Sequence, residues 1–236
     1  MKPQSNPRYP SRVSENGRYL TDAGRRPFFY MGDTAWELFH RLDREEAARY
    51  LTDRAEKGFT VIQAVVLFEL GDADSPNAYG EPPLIDGDPT QPNEAYFAHA
   101  DFIVEKAAEL GLVIGMLPCW GDKWKLDDSG TTGIFTPESA RAYGRFLGER
   151  YRDAPLIWIL GGDRNVEFEA ERWVVEALAK GLRLGDDGRH LITFHPRGPG
   201  LSSDVFHDAD WLDFNMNQSS HGAVDHDTGL FTAHDY

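Results

Sequence analysis

The chain has 236 residues, with 24 Lys+Arg against 39 Asp+Glu and a formal net charge of −15; its isoelectric point is near 4.9. So anionic a chain lacks the cationic footprint of a nucleic-acid binder, and no apolar run approaches the roughly 20 residues of a membrane-spanning helix. A hydrophobic fraction of 41% supports a sizeable core and argues against disorder, while the single cysteine, Cys119, excludes an internal disulfide and any CxxC metal or redox motif.

In chain order, a polar leader over 1–27 ends in a hairpin: Arg18-Tyr19-Leu20 and Pro27-Phe28-Phe29-Tyr30 flank the turn Asp22-Ala23-Gly24. The second arm runs on into Met31-Gly32-Asp33 as a first core strand. Asp43, three residues before Glu46, predicts a capped helix with Ala47, Leu51 and Ala55 on one face and Gly58 as its stop. FTVIQAVVL (59–67) is the nearly continuous apolar run of a strand buried on both faces. A helix from about Asn93 carries Phe97, Ala100, Val104, Ala107 and Leu110 inward, and LVIGML (112–117) is a third strand. Thr136-Pro137 supplies an N-cap and a first-turn proline to a helix buried along Ala140, Tyr143, Leu147 and Tyr151. LIWIL (156–160) is a fourth strand, backed by a helix marked by Trp173, Val174, Ala177 and Leu178. A fifth strand is expected at 191–194 and a sixth at 211–216.

Successive βα steps imply a parallel sheet with right-handed crossovers. The helix-to-strand returns are short, whereas the strand-to-helix loops are long, over about 68–93, 118–136 and 196–209. Long loops after the strands build the working face of a barrel. The first turn, Gly32-Asp33-Thr34-Ala35-Trp36, is no dinucleotide fingerprint. The expected fold is α/β, a single (β/α)8 TIM-barrel-type domain over 1–236 with about six of eight strands present and the N-terminal hairpin in front.

The groups following the strands are Asp33 and Trp36; Glu69 and Asp72; Trp120, Asp122, Lys123 and Trp124; Asp163, Arg164 and Asn165; His195 and Arg197; Asn217, Gln218 and His221. Acids, amides and tryptophans together suit a sugar, whose ring stacks on indoles while its hydroxyls take polar partners. In ILGGDRN (159–165) two glycines end a buried strand and place Asp163 at the rim, either as a general acid or as a cap of the next helix. Asp33 is likewise either a short-turn N-cap or a ligand of sugar hydroxyls. Trp120 and Trp124, in a Gly/Asp/Lys-rich loop, favour a binding platform; Trp158 and Trp173 favour the core. Gln63 either bonds within the barrel or reaches the substrate. His195 and His221 lack metal-ligand spacing and are read as polar residues lining the pocket, and Cys119 as a buried inert thiol.

FFYMGDTAWELFHRL (28–42), GFTVIQAVVL (58–67), PNAYGEPPL (76–84), LPCWGDKW (117–124), IFTPESARAYGRFLGERY (134–151), IWILGGDRN (157–165) and DFNMNQSSHG (213–222) resemble the apiosidase-like glycoside hydrolases related to glycoside hydrolase family 140. The resemblance runs from about residue 12 to the end. It implies a (β/α)8 barrel of the clan with catalytic acids after strands four and seven, and release of apiose-linked units from complex pectin. By motif match Asp163 is the general acid/base, and Asp33, Trp36, Trp120, Lys123, Asn217 and His221 lie in motifs around the pocket. Asn165 and His195, read from the strand ends alone, complete the expected substrate-binding set. The family's nucleophile, a glutamate after the seventh strand in a DGEP-like run, has no counterpart here, so the chain is either a fragment, the favoured expectation, with that glutamate beyond its C-terminus, or a divergent protein that closes its sheet another way. The expected partner is an oligosaccharide or polysaccharide, with no cofactor, metal or membrane insertion, and the sequence sets no oligomeric state. Two alternatives stand beside this reading: a catalytically inactive carbohydrate-binding barrel, and a metal-dependent barrel hydrolase using His195, His221 and rim acids. The start, MKPQSNPRYP, lacks a secretory pattern and points to the cytoplasm for the chain as given; a signal removed before numbering would allow a secreted or periplasmic protein.

Overall fold

The computed structural model describes residues 8–68, 73–126, 130 and 133–219 and begins with an antiparallel pair, β1 (Arg12–Val13) and β2 (Leu20–Thr21). The expected hairpin follows: Thr21 bridges Pro27, and the Phe28 N–H donates to the Leu20 carbonyl at 2.8 Å. The buried Asp22 carboxylate holds this turn, accepting the Arg26 N–H and pairing with Arg8 and Arg26.

Beyond it, β3 (Gly32–Thr34), β4 (Val61–Leu67), β5 (Val113–Cys119), β6 (Leu156–Gly161) and β7 (Ile192–His195) form one parallel sheet in chain order. These are five consecutive steps of a (β/α)8 barrel. Between them run α1 (Leu38–Arg41), α2 (Arg44–Glu56), α3 (Glu94–Glu109), α4 (Pro137–Tyr151) and α5 (Glu169–Asp186). The caps lie where local chemistry puts them. Asp43 and Glu46 form a capping box, Asn93 accepts the Ala95 N–H, and Thr136 accepts the Ser139 N–H ahead of Pro137.

Strand parity divides the core in two. Ile62, Ile114, Trp158 and Phe194 pack outward against the helices, while Val61, Val65, Val113, Leu117, Ile157 and Ile159 fill the barrel interior. Tyr9, Val13, Leu20, Phe28 and Tyr30 pack against this inner cluster, so the hairpin plugs the end where the strands begin. Gln63 faces inward too, and its Nε2 donates to the Tyr30 hydroxyl at 3.3 Å: it bonds within the barrel. A Cβ on Gly115 would lie 2.9 Å from Ile159 Cδ1 and 3.2 Å from Gln63 Cγ, so glycine makes the room that glutamine needs.

The expected sixth strand, 211–216, takes its place beside β7 without forming a ladder. The Asp213 N–H donates to the Ile192 carbonyl at 2.9 Å, but the Ile192 N–H is taken by the Asp213 side chain at 2.7 Å. A carboxylate thus replaces the backbone carbonyl that a strand would present, and Arg183 of α5 clamps it. Past β7 lie β8 (Gly200–Leu201), α6 (Ser203–Phe206) and β9 (Asn217–Gln218), with β8 and β9 antiparallel. No helix among the described residues is long and apolar enough to cross a membrane.

Candidate active site at the strand C-termini

At the end of β6 three successive residues, Gly161, Gly162 and Asp163, adopt φ of 96°, 99° and 58°, all left-handed. Two glycines make this turn accessible, and Asp is among the few other residues that enter this region readily. Contact from both sides fixes the turn. The Gly162 N–H donates to the His195 carbonyl at 3.2 Å, its carbonyl accepts from Gly121 at 3.1 Å, and the Trp124 indole donates to the Gly161 carbonyl at 2.8 Å. A Cβ at Gly162 would come within 2.7 Å of Gly121 N and 2.9 Å of Trp120 Cα. Gly162→Ala is therefore expected to cost about 1–3 kcal/mol through its backbone conformation alone, and to displace Asp163. Thermal unfolding and activity measured on the same preparation check this; a variant unchanged in both would contradict it.

Asp163 does not cap the next helix, because α5 begins at Glu169 with Phe168 as its N-cap. Its backbone is held instead: its N–H donates to His195 Nδ1 at 3.0 Å and its carbonyl accepts from Arg164 at 2.9 Å. Among the described residues its carboxyl oxygens make no hydrogen bond or ion pair, and the residue stays partly exposed. Because His195 Nδ1 accepts, the ring hydrogen is assigned to Nε2. The imidazole stands at the end of β7 beside an aromatic wall. Its ring centroid is 5.7 Å from Trp36 and 5.9 Å from Trp120, and the two tryptophans are 5.2 Å apart. Trp120 is buried, yet its indole N–H has no hydrogen-bond partner among the described residues.

Asn165 braces the neighbouring loop: its Oδ1 accepts the Arg197 N–H at 2.9 Å and its carbonyl accepts from Lys125 at 3.0 Å. Lys123 is 5% exposed and pairs with Asp122 at 2.5 Å, so it sits inside the loop after β5. Asn217 lies on β9 with a buried Oδ1 that has no hydrogen-bond partner among the described residues.

Asp33 departs from expectation. It pairs in register with Ile62 and so faces the helix layer, where it binds Arg54 at 2.9 Å and the Tyr50 hydroxyl at 3.0 Å. It is neither an N-cap nor part of the cluster around Asp163; Glu37 stands at the N-cap of α1. The tryptophans of the platform argument also change places. Trp124 is 1% exposed and structural, whereas Trp173, expected in the core, is 57% exposed. Trp158 is buried as expected, and burial pushes the inert Cys119 thiol up. His221, Glu69 and Asp72 lie outside the described residues.

Arg164, named from the sequence beside Asp163, and Glu171, which the sequence reading missed, brace this turn. Arg164 packs its side chain against Gly121, where a Cβ would collide with it. Glu171, fully buried, accepts the N–H groups of Glu167, Phe168 and Leu126 and pairs with Lys125. Burial alone would raise the Glu171 carboxyl; those N–H groups and the Lys125 ammonium outweigh it and hold it below the usual glutamate range. Glu171 thus ties the loop after β5 to the start of α5, on either side of the Asp163 turn.

A cavity of about 520 Å³ lies against the hairpin at the opposite end, lined by Arg12, Glu15, Tyr19 and Arg25 among others. Among the described residues no three His, Cys, Asp or Glu side chains are grouped closely enough to hold a metal ion.

The family model described as "Apiosidase-like, catalytic domain" matches residues 14–236. A solved glycoside hydrolase superimposes with a TM-score of 0.78 at 39% identity, covering 94% of this chain and 48% of its own. A glycoside hydrolase family 5 protein from Bacteroides vulgatus ATCC 8482 gives a TM-score of 0.78 at 38% identity, covering 90% of this chain and 45% of its own. A glycoside hydrolase family 5 enzyme from Prevotella bryantii B14, at 12% identity and a TM-score of 0.51, covers 84% of this chain and 61% of its own and shares the fold alone. The chain therefore spans about half the length of the first two structures. No match was found among the curated proteins.

Proposed function

Because the chain belongs to the apiosidase-like catalytic-domain family, we propose that it works as part of a glycoside hydrolase acting on pectic oligosaccharides of the plant cell wall, with Asp163 as general acid/base. The observation that carries this reading is the left-handed turn that presents Asp163 after the fourth strand of the sheet, its N–H bound to His195. Asp163 gives its proton to the leaving glycosidic oxygen, and an attacking carboxylate, a glutamate outside the described residues, meets the anomeric carbon. In a retaining pair the two carboxyl groups stand about 5–5.5 Å apart, and Asp163 then takes a proton from the incoming water; at a separation of about 6.5–9.5 Å the second carboxylate instead takes a proton from a water that itself attacks the anomeric carbon, which inverts the configuration.

Trp36, half-buried, offers the apolar wall for the sugar ring, with the buried Trp120 packed behind it and the His195 ring beside both. Asn165 and Lys123 act one step back, holding the loops. Asn217 and His221 are assigned to the sugar-binding rim by motif, while Asp33 holds α2 through Arg54.

The test is hydrolysis of pectic oligosaccharides by the full-length protein, followed by release of reducing ends, with binding measured on the same ligands. Release of a terminal apiose-linked unit is the expected result. Binding without turnover would replace this reading by that of a non-catalytic carbohydrate-binding barrel.

A further inference from the structure

Helices α4 and α5 touch backbone to backbone. A Cβ at Gly144 would meet the Leu178 carbonyl oxygen at 2.5 Å, and one at Gly148 the Leu182 carbonyl oxygen at 2.5 Å; Gly181 and Gly185 press equally closely on α4. No side chain at these positions separates the two helices, so their relative placement is rigid. Toward their N-terminal ends they part around a groove of about 320 Å³. Its walls are Pro137, Glu138 and Arg141 of α4 and Trp173, Glu176 and Lys180 of α5. The N-termini of both helices follow the C-terminal strand ends, so the groove opens on the outer flank at the same end of the sheet as Asp163.

We propose that this groove is a second carbohydrate site, which takes one or two sugar units of the polymer whose scissile bond lies at Asp163. The proposal rests on the glycoside hydrolase reading for its ligand class. Trp173, 57% exposed, offers an indole face to the apolar side of a sugar ring. Glu138 and Glu176 accept from hydroxyls, and Arg141 and Lys180 donate to hydroxyls or to the carboxylate of a uronic acid. Glu176 is held by Arg172 at 3.0 Å, and Glu138, Arg141 and Lys180 give the groove a charged lining that suits a polar ligand better than a purely apolar one. A stable protein interface needs roughly 20–30 residues a side, whereas the groove's volume lies at the lower end for small-ligand sites, about 300–1,000 Å³. Because the glycine contacts preform the walls, little ordering opposes binding.

The experiment uses the full-length protein and soluble complex pectin as probe, with retardation in a native gel containing the polymer and hydrolysis of a short pectic oligosaccharide as readouts. Trp173→Ala is expected to bind the polymer about tenfold more weakly, Trp173→Phe to recover most of that loss, and both to cleave the short substrate like the parent. Equal polymer affinity in parent and Trp173→Ala overturns the proposal, as does a parent that the polymer does not retard. A shift from dimer to monomer in Trp173→Ala at unchanged polymer affinity assigns the groove to a second copy and also overturns it. If the parent cleaves nothing yet Trp173→Ala loses polymer binding, the second site stands and the catalytic reading falls.

Discussion

Asp163→Asn in the full-length protein is expected to lower kcat on unactivated pectic oligosaccharides by about 100- to 10,000-fold, the range for loss of a positioned general acid/base. The substitution is chosen so that little else changes. Asparagine enters the left-handed region as readily as aspartate, and the ties that hold the residue come from its backbone, to His195 and Arg164. No hydrogen bond or ion pair to its carboxyl group is lost among the described residues, so the unfolding midpoint should stay within a degree or two of the parent. A second substrate separates acid catalysis from general damage. An aryl glycoside with a good leaving group needs little proton donation as its bond breaks, so the first step should lose far less on it. Equal losses on both substrates would remove Asp163 from the acid role. Parent-like turnover of the oligosaccharide would remove it from the mechanism.

How far the sequence discloses these features depends on how local their causes are. The capping boxes at Asp43 and Thr136 and the buried run of β4 are set by residues a few positions apart, and all three stand where sequence places them. The Gly161-Gly162-Asp163 turn is legible for the same reason, since two glycines before an aspartate point to a backbone few other residues adopt. Glu171 escaped because the N-cap of its helix is Phe168, which has no side-chain acceptor, so the usual cap-and-glutamate pattern is absent. Asp33 was misplaced because β3 is only three residues long, and so short a strand gives no alternation from which to read a face. The face is decided by register with Ile62, a partner far along the chain. Trp124 and Trp173 exchanged roles for a tertiary reason as well. The first is drawn under the β6 turn by the Gly161 carbonyl, and the second is left outside by the glycine-set packing of α4 on α5. The sixth strand has the right pattern, but the Asp213 carboxylate takes the β7 N–H that a ladder would use.

Asp186→Ala is expected to destabilise the protein by about 3–5 kcal/mol, the cost of breaking a buried ion pair from one side. Asp186 ends α5 and is completely buried, with His190 beside it and the Trp158 ring above. Its carboxylate accepts the Trp158 indole N–H at 2.9 Å, the Gly188 N–H at 2.8 Å and His190 Nδ1 at 2.9 Å, while His190 Nε2 lies 2.8 Å from the Ala154 carbonyl. The His190 ring thus bridges the Asp186 carboxylate and the Ala154 carbonyl, with an acceptor facing each of its nitrogens. Removing the carboxylate strands two side-chain donors and one backbone N–H where water does not reach. At roughly 2–4 °C per kcal/mol for a chain of this size, the unfolding midpoint should fall by roughly 6–20 °C; a fall below about 2 °C would show that this network contributes little. The pH dependence gives an independent sign. Burial alone would raise the Asp186 carboxyl, but the bonds from His190, Trp158 and Gly188 and the attraction of His190 outweigh it and hold it below the usual aspartate range. Its contribution is therefore complete above the unfolded-state value of about 3.9 and is lost as pH falls through the lower folded value. Parent stability should drop with acidification through that window, and Asp186→Asn, which has no carboxyl group to protonate there, should lack that share of the drop. Because the network joins α5, β6 and the start of β7 at the end of the sheet away from Asp163, Asp186→Asn should leave kcat on the short oligosaccharide unchanged while it lowers the midpoint. That separation of stability from turnover is the behaviour expected of a barrel whose two ends are built from different residues for different tasks.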